Sequence, residues 1–377
     1  MKTNDEPIKA KIAADLEEKL AKSTQVHLLG MTFENPLLPA SGPLTEGYEN
    51  LVSLEGLGLG GLVTKTVSVS AAEVRKPCIV ARGNMVHNCE LWSEHDLAYW
   101  QDALEKLKPQ MKRPLGVSAG YTSSELSQVI PKLETFADFF EISTHYNKAS
   151  LEEMVRAVTS LTQKPVFIKM SPHVEDDLSF VETVLNAGGA GIVAFNSFGP
   201  GLVVDLKNRS VLIGNKEGDS WVSGPAIKPF ALKRIANIRK HFPQVPLIGC
   251  GGVQNATDAL EMILAGADLV QLLSSALTDG RNMYSRIAGS LQTTMKENDI
   301  RSISELRQTG LSIIPSGTGG YPRITEACTG CMRCVRVCPF GAYQSSKPPV
   351  FNQDKCIRCG LCESACVFNA IKGVLSL

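Results

Sequence analysis

Eight of the eleven cysteines in this chain of 377 residues lie in one short segment, and their spacing suits iron–sulfur chemistry. The first four read C-x2-C-x2-C-x3-C-P from Cys328 to Pro339. The second four repeat that spacing from Cys356 to Cys366, with Val367 in place of the proline. In such runs three thiolates bind one cubane cluster, and the fourth cysteine ligates the other cluster. The pattern therefore predicts two [4Fe-4S] clusters, one held by Cys328, Cys331, Cys334 and Cys366 and the second by Cys356, Cys359, Cys362 and Cys338.

A zinc site and a disulfide scaffold are the two alternative interpretations of these cysteines. Zinc motifs usually pair two C-x2-C units rather than two triplets with a trailing cysteine. The remaining cysteines, Cys78, Cys89 and Cys250, are scattered through the first 250 residues, a distribution that secreted disulfide scaffolds do not have. The repeated spacing therefore favours iron–sulfur clusters. Because the segment is too short to build an apolar core, the clusters are expected to hold it folded.

Composition and charge exclude several classes of function. The chain has 44% hydrophobic and 20% charged residues, with 38 basic and 38 acidic side chains and a formal net charge of zero. Nucleic acid or an anionic membrane is disfavoured as the main partner, since either would need a positive field. No apolar run approaches the roughly 18–20 residues of a membrane-spanning helix, and residues 1–24 lack the apolar core of a signal peptide. We expect a cytoplasmic protein whose residues 1–24 form a solvated amphipathic helix or a frayed arm.

Eight short apolar runs precede the cysteine segment, and helix-like stretches such as Leu151–Leu161 and Pro229–His241 alternate with them. Continuous apolar runs are typical of parallel strands covered on both faces. Eight strand–helix alternations predict a (β/α)8 TIM barrel over residues 25–306. An open doubly wound sheet is the alternative, but no G-x-G-x-x-G directly follows the first predicted strand. The predicted strands are Pro36–Ser41, Gly61–Val67, Pro114–Gly120, Phe139–Thr144, Pro165–Ser171, Gly191–Ser197, Pro246–Gly252 and Leu269–Ser275.

Residues 307–327 are rich in glycine and proline and predict a linker. The linker places the domain boundary between the barrel and a bacterial-type ferredoxin domain over residues 328–377. A linker of this composition also permits the ferredoxin domain to dock on a neighbouring chain, so a homodimer is a further expectation.

Chemistry in a barrel lies where strands end and loops begin, on the carboxyl face. Gly251-Gly252 and Ser274-Ser275 close strands seven and eight, where barrels commonly bind a phosphate through backbone amides. Lys65 and Lys169 end strands two and five, where a positive charge stabilises a reduced flavin; the alternative is that they snorkel from loop ends to solvent. The other polar or small groups at strand ends are Ala40, Ser41, Thr66, Glu141, Ser143, Thr144, Asn196 and Ser197.

A flavin also follows from the clusters themselves. Iron–sulfur clusters pass one electron at a time, whereas organic substrates usually gain or lose two. A flavin is the common carrier between the two regimes. The sequence therefore predicts a flavin in the barrel and clusters in the tail.

Several motifs of the barrel occur together and identify a family resemblance. They are A-S-G at 40–42, T-K-T at 64–66, N-C-E-L-W-S-E at 88–94 with A-Y-W at 98–100, N-S-F-G-P-G-L at 196–202, S-G-P-A-I-K-P at 223–229 and G-C-G-G-V at 249–253. Collectively these resemble the dihydroorotate dehydrogenase and dihydropyrimidine dehydrogenase family over about residues 28–308. The ferredoxin tail resembles dihydropyrimidine dehydrogenase in particular.

The resemblance implies FMN as the cofactor, and pyrimidine-ring contacts at Asn88, Glu90, Asn196 and Ser197. Amide and carboxylate side chains complement the alternating carbonyl and N–H groups of such a ring. The alternatives are a turn residue for Asn88 and a strand-end cap for Asn196. The implied FMN contacts are Ala40, Ser41, Lys65, Thr66, Lys169, Asn196, Gly224, Gly251, Gly252, Ser274 and Ser275.

The strand-four loop departs from the family pattern. The family usually has Asn-x-Ser-Cys-Pro-Asn/His there, with the cysteine as general acid or base, whereas residues 141–147 read E-I-S-T-H-Y-N. Glu141 thus replaces a substrate-binding Asn and is expected to contact the substrate in its place, and Thr144 replaces the cysteine. The candidate proton donors are Ser143, Thr144, His145 and Tyr146. We favour His145, which titrates near neutral pH, with Thr144 shaping the pocket; the alternative is that His145 only hydrogen-bonds the loop.

The chain has no NAD- or FAD-binding region such as the large dihydropyrimidine dehydrogenases carry. Electrons are therefore expected to pass to or from another protein: a ferredoxin, a flavodoxin or an NAD(P)H-linked flavoprotein subunit. The leading hypothesis is an FMN- and iron–sulfur-dependent enzyme that oxidises or reduces a C–C bond next to a carbonyl in a pyrimidine-like substrate. The alternatives are a reductase of a different unsaturated cyclic or carbonyl substrate, an electron-relay subunit without substrate chemistry, and a tRNA-modifying flavin barrel, which zero net charge disfavours.

The cofactor prediction is directly measurable. Anaerobically isolated protein is expected to hold one FMN and about eight iron atoms per chain, the number that two cubane clusters require. Metal analysis and the flavin released on denaturation give both counts. Zinc in place of iron, or well-folded protein without flavin, would contradict the prediction.

Overall fold

The structure, a computed structural model, describes residues 22–144, 149–313 and 319–375. The chain divides between Leu311 and Ser312 into two compact units. The predicted arm, residues 1–24, falls almost wholly outside the described residues. The division lies within the predicted linker, residues 307–327, and regular structure occupies both ends of that stretch: a helix runs to Thr309, and Arg323–Ile324 form a strand.

Eight parallel strands form the centre of the first unit. Their order across the sheet follows the chain, and the first strand also pairs with the eighth. Where the first and second strands meet, the Gly60 N–H donates to the Leu37 carbonyl at 2.9 Å. The predicted TIM barrel is confirmed as a nearly closed one, and each strand lies within its predicted span. The strands are β1 (Leu37–Pro39), β2 (Leu62–Val63), β3 (Leu115–Ala119), β4 (Phe139–Ser143), β5 (Val166–Lys169), β6 (Gly191–Val193), β7 (Leu247–Cys250) and β8 (Leu269–Leu272).

Helices follow the strands and cover the barrel. Several begin at a capping side chain: Asp96, Asp176 and Asn255 each accept a first-turn N–H. No helix within the described residues is both long and apolar enough to cross a membrane. The helices are α1 (Gly47–Glu55), α2 (Leu97–Leu107), α3 (Ser123–Leu133), α4 (Leu151–Thr159), α5 (Asp177–Asn186), α6 (Lys228–His241), α7 (Ala256–Ala265), α8 (Ser274–Asp279), α9 (Asn282–Glu297) and α10 (Ile303–Thr309).

An apolar layer fills the barrel interior. The Phe139 and Phe167 rings meet edge to face with centroids 5.6 Å apart. A hairpin of Val26–Leu28 and Met31–Phe33 packs against this layer. Gly116 on β3 leaves room for the rings, since a Cβ there would lie 2.3 Å from Phe139 Cζ. The buried members are Phe33, Leu38, Val63, Phe139, Phe167, Val193, Ile248 and Leu269.

A small antiparallel sheet, here called the loop sheet, joins two barrel loops. Met85–Asn88 and Ile79–Arg82 come from the loop after β2, and Phe198–Gly201 and Ser220–Ser223 from the loop after β6. Asn88 lies opposite Trp221 in the pairing register. The loop sheet was not expected from the sequence, because its strands are short and the two hairpin partners are far apart in the chain. A further hairpin pairs Val204–Asp205 with Ser210–Val211.

The second unit is built from short elements. Arg323–Ile324 pair with Ile371–Lys372, and Tyr343–Gln344 pair with Val350–Phe351. Two short helices lie between these strands in the chain, α11 (Arg333–Val337) and α12 (Leu361–Ser364). Within residues 319–375 its apolar cluster has three buried members, Tyr343, Cys362 and Ile371. So small a core agrees with the expectation that bound clusters stabilise this unit.

The packing of the barrel interior gives a stability prediction. Gly116→Ala is expected to destabilise the protein by about 1–3 kcal/mol, because the added methyl overlaps the Phe139 ring. Gly289→Ala on α9 is the matched control. A Cβ there meets nothing within 4 Å, so it should stabilise by about 0.5–1 kcal/mol. Urea unfolding measures both, and equal stabilities for the two variants would contradict the packing.

Candidate functional site

A cavity of about 490 Å³ opens where the barrel strands end. Its volume falls in the roughly 300–1,000 Å³ range of small-molecule sites. Glu141, Gly224 and Ser275 are not among the residues that line it, and His145 and Tyr146 lie outside the described residues. The predicted residues that do line it are Ala40, Ser41, Lys65, Thr66, Asn88, Glu90, Ser143, Thr144, Lys169, Asn196, Ser197, Gly251, Gly252 and Ser274.

A buried ion pair lies at the base of this cavity. Glu141 on β4 has no exposed surface, and its Oε1 lies 3.1 Å from the Lys169 ammonium on β5. Gln271 on β8 completes the network: its Oε1 accepts from Lys169 at 3.2 Å, and its Nε2 donates to the other carboxylate oxygen. Burial has the largest single effect and lowers the pKa of Lys169, but the charge of Glu141, the Cys250 thiol and the hydrogen bond to Glu141 together outweigh it and raise that pKa. Lys169 is therefore a charged group within the cavity wall.

The three residues form a polar layer directly above the apolar one. Side chains two positions apart in a strand share a face, and the barrel interior is filled in such layers. Glu141 follows Phe139, Lys169 follows Phe167, and Gln271 follows Leu269, each by two positions.

A second ion pair lines the cavity wall. The Lys65 ammonium beyond β2 lies 3.0 Å from Glu90 Oε2, which follows the loop sheet strand Met85–Asn88. Two hydrogen bonds also hold the Asn88 side chain: its Nδ2 donates to the Trp221 carbonyl at 3.3 Å, and its Oδ1 accepts from the Glu90 N–H. The Asn196 Oδ1 accepts from the Ser197 N–H at 2.8 Å, the contact of a strand-end cap. These side chains are thereby fixed in orientation.

Hydroxyl groups cluster on one side of the cavity. Thr66 Oγ1 lies 3.1 Å from Ser41 Oγ, 3.0 Å from Ser118 Oγ and 3.4 Å from Ser143 Oγ. The Thr144 hydroxyl donates to the Lys169 carbonyl at 3.2 Å. Its proton is thus already engaged by the backbone, and a hydroxyl is in any case a poor acid near neutral pH.

A glycine-lined stretch forms the part of the cavity beyond β7. Gly252 has φ +81°, and a Cβ on it would lie 2.8 Å from the Gly224 carbonyl oxygen and 2.9 Å from the Lys228 nitrogen. Only glycine fits so close an approach of three backbone segments. Ser275, in the first turn of α8 and outside the cavity lining, has a buried Oγ with no hydrogen-bond partner among the described residues. The closely packed backbone around Gly252 suits the approach of an anion such as a phosphate at this end.

Sequence reasoning assigned no role to several residues that line the cavity, among them Gln271, Cys250, Tyr121 and Trp92. Gln271 had a signal, since a lone polar residue on the inward face of an apolar strand marks the interior. Burial raises the pKa of the Cys250 thiol, partly opposed by Lys169. Burial also raises the pKa of Tyr121 to about 12, with Glu125 adding to the rise. Both groups therefore keep their protons at neutral pH.

The second unit brings the eight tail cysteines into two sets. One small cavity is lined by Cys328, Cys331, Cys334 and Cys366, and another by Cys338, Cys356, Cys359 and Cys362. These are the two sets that the spacing assigned to separate clusters. Among the described residues, no three Cys, His, Asp or Glu side chains have the tight arrangement that holds a single ion; a cubane cluster instead takes one thiolate on each iron.

The two cysteine loops share one backbone conformation. Gly330 and Arg358 occupy equivalent positions with φ +68° and +59°, and Met332 and Gly360 likewise have φ +60° and +83°. Arg358 and Met332 hold a left-handed conformation that costs energy for a side chain. An N–H four residues on donates to the last cysteine of each run, Ala342 to Cys338 and Ala370 to Cys366. The repeat in sequence is thus a repeat in geometry.

Comparison with known proteins gives two family matches. Residues 23–295 match the family model for dihydroorotate dehydrogenase, and residues 322–367 match that for a 4Fe-4S dicluster domain. Similar curated proteins include dihydroorotate dehydrogenase B (NAD(+)), catalytic subunit, from Methanocaldococcus jannaschii, 26% identical over 73% of this chain and 94% of that protein. The proteins of the same name from Pyrococcus furiosus and Pyrococcus horikoshii are 29% and 30% identical, over 75% and 77% of this chain and 97% and 98% of theirs.

The polar layer yields a stability prediction. Lys169→Met leaves Glu141 buried without a counter-charge and is expected to destabilise the protein by about 3–5 kcal/mol. The double variant Lys169→Met/Glu141→Gln removes both charges and is expected to recover most of that loss. With the single variant Glu141→Gln as the fourth member, urea unfolding of the wild type and the three variants forms a double-mutant cycle. Additive effects of the two single changes would mean that the pair is not coupled.

Proposed function

The chain belongs to the dihydroorotate dehydrogenase family, so it is an oxidoreductase acting on CH–CH groups, and we propose that its substrate is a pyrimidine-like ring of the dihydroorotate type. The bond oxidised or reduced is the C–C bond next to a ring carbonyl. FMN binds in the barrel cavity, and two [4Fe-4S] clusters in the second unit carry electrons to or from a separate electron-transfer protein. The dicluster match and the relatives' description as catalytic subunits support this arrangement.

One observation carries the FMN proposal: a single cavity combines two buried lysines with a glycine-lined end. Lys169 and Lys65 supply positive charge for a flavin ring, and the backbone at Gly251-Gly252 with Ser274-Ser275 supplies N–H donors for its phosphate. Bound FMN supplies the step between two-electron chemistry at the substrate and one-electron transfer at the clusters. Ala40, Ser41, Thr66, Asn196 and Gly224 complete the proposed contacts.

The proposed substrate contacts come from two different loops. Asn88 and Glu90 extend from the loop sheet, and Asn196 and Ser197 follow β6. Their amide, carboxylate and hydroxyl groups match the donors and acceptors of a pyrimidine ring. Glu141, expected from the resemblance to contact substrate, is instead engaged by Lys169 and Gln271 below the cavity. We therefore assign it to the floor of the site.

The substrate carbon beside the reacting one needs a proton, and the family's cysteine is absent. Of the candidates, Ser143 lies in the Thr66 hydroxyl cluster, and Thr144 donates to the Lys169 carbonyl. Since the Thr144 proton already has an acceptor and a hydroxyl is a poor acid near neutral pH, we propose that His145 donates the proton at a ring nitrogen and that Thr144 orders the loop. The replacement of the cysteine also favours a second function, reduction of a different unsaturated carbonyl compound.

The proposal is tested by the two half-reactions. Photoreduced, anaerobic enzyme is mixed with orotate, uracil, thymine and non-pyrimidine enones, and the return of the oxidised flavin spectrum is followed. A pyrimidine is expected to reoxidise the flavin fastest. Reoxidation by an enone alone would favour the second function. If none of these compounds reoxidises the flavin, the electron-relay alternative is favoured.

The proton donor is tested in the same assay. His145→Ala is expected to slow flavin reoxidation by substrate by about 100-fold or more, the usual contribution of a general acid, while FMN content and cluster reduction stay normal. Thr144→Val and Ser143→Ala serve as comparisons. If Thr144→Val shows this loss and His145→Ala reacts at nearly the wild-type rate, the Thr144 hydroxyl is the proton donor. If none of the three variants slows flavin reoxidation, the protonated phenol of Tyr121 is the next group in the cavity to replace.

A further inference from the structure

Glu141 is the feature of the site that the proposed function leaves unexplained. A carboxylate without exposed surface occupies a position where the family resemblance predicts a neutral Asn. It does not line the cavity, yet its partner Lys169 does. Its effect on any ligand in the cavity is therefore exerted through Lys169 and through its own field.

The network fixes the position of Glu141 and provides its counter-charge. Lys169 lies 3.1 Å from one carboxylate oxygen, and the Gln271 amide donates to the other. Gln271 also accepts from the Lys169 ammonium, so the three side chains close a ring of hydrogen bonds. Neither charged group can turn away without leaving a buried polar atom unpaired, which is costly. The Lys169 ammonium thus uses part of its hydrogen-bonding capacity on Glu141 and Gln271, and that part is not available to a ligand.

A carboxylate in this position opposes negative charge in the cavity. A lone lysine beside a flavin ring stabilises the anion that forms on reduction. Glu141 offsets that charge at contact distance and, in a site of low dielectric constant, adds its own repulsion of an anion. The other cavity lysine, Lys65, is likewise paired, with Glu90 at 3.0 Å. Each lysine of the cavity wall therefore has a carboxylate within hydrogen-bond distance that offsets its positive charge.

We propose that Glu141 is a positioning residue that lowers the reduction potential of the FMN bound above it and so favours the reductive direction, from flavin to substrate. This inference rests on the proposed function. In that direction an external electron-transfer protein is oxidised and passes electrons singly through the clusters. Two electrons and one proton reduce the flavin; a hydride then leaves it for one carbon of the substrate C=C bond, and a proton adds to the other carbon. A flavin of lower potential gives up its hydride more readily.

The test is the two-electron midpoint potential of bound FMN in the full-length holoenzyme. Glu141→Gln keeps the shape of the side chain and removes its charge. At a fixed applied potential the ratio of reduced to oxidised flavin is expected to rise tenfold or more, a shift of about 30 mV or more to higher potential. The dissociation constant of reduced FMN should fall relative to that of oxidised FMN by the same factor.

Two control variants separate charge from structure. Glu141→Asp retains the carboxylate and should stay near the wild-type potential. Glu152→Gln removes one negative charge from an exposed pair with Arg156 on α4 and should leave the potential unchanged. Glu141→Asn, which carries the residue of the family pattern, gives the same comparison as Glu141→Gln should that variant not fold.

The outcomes distinguish this inference from the proposed function. Variants that bind FMN at the wild-type potential would overturn the role of Glu141 and leave the proposed function intact. Well-folded wild-type protein that is purified anaerobically and contains no flavin would overturn both.

Discussion

A carboxylate with no exposed surface must keep a counter-charge within hydrogen-bond distance, and this constraint on Glu141 organises the site. The counter-charge comes from Lys169 on the adjacent strand, and Gln271 brings β8 into the same network. Breaking a buried pair by removing one partner is far more costly than replacing both. The network therefore ties β4, β5 and β8 together at the level where the apolar interior ends. Above that level the barrel can carry polar chemistry, because the layer beneath it is closed by packed rings and aliphatic side chains.

Much of the fold could be predicted from the sequence because its determinants are local or periodic. Short apolar runs identified all eight barrel strands, and several of the runs are continuous because parallel strands are covered on both faces. The cysteine sets were predictable for the same reason: a C-x2-C-x2-C loop determines its own geometry. The loop sheet was not, because Asn88 and Trp221 pair across more than a hundred residues and neither strand has a strong pattern. The role of Glu141 was also missed, since only the packed barrel shows that Lys169 and Gln271 enclose it.

The two units show different ways of stabilising a site. In the barrel, backbone crowding at Gly252 and a buried ion pair are held by a large apolar core, so the site is preorganised by the fold. In the second unit only three residues form the buried apolar cluster, and Met332 and Arg358 adopt left-handed backbone conformations. Such conformations persist when surrounding bonds compensate for them. Metal–thiolate bonds supply that compensation in a cluster domain. The repeated loop geometry is thus what the proposed pair of clusters would require.

The most direct test of this account is a crystal structure of the protein purified anaerobically with its cofactors. The account predicts FMN in the barrel cavity, with its ring within hydrogen-bond distance of the Lys169 ammonium and its phosphate on the backbone N–H groups of Gly251-Gly252 and Ser274-Ser275. Glu141 should remain paired with Lys169 and Gln271 beneath the ring. A flavin bound elsewhere, or a phosphate far from the glycine-lined end of the cavity, would contradict it.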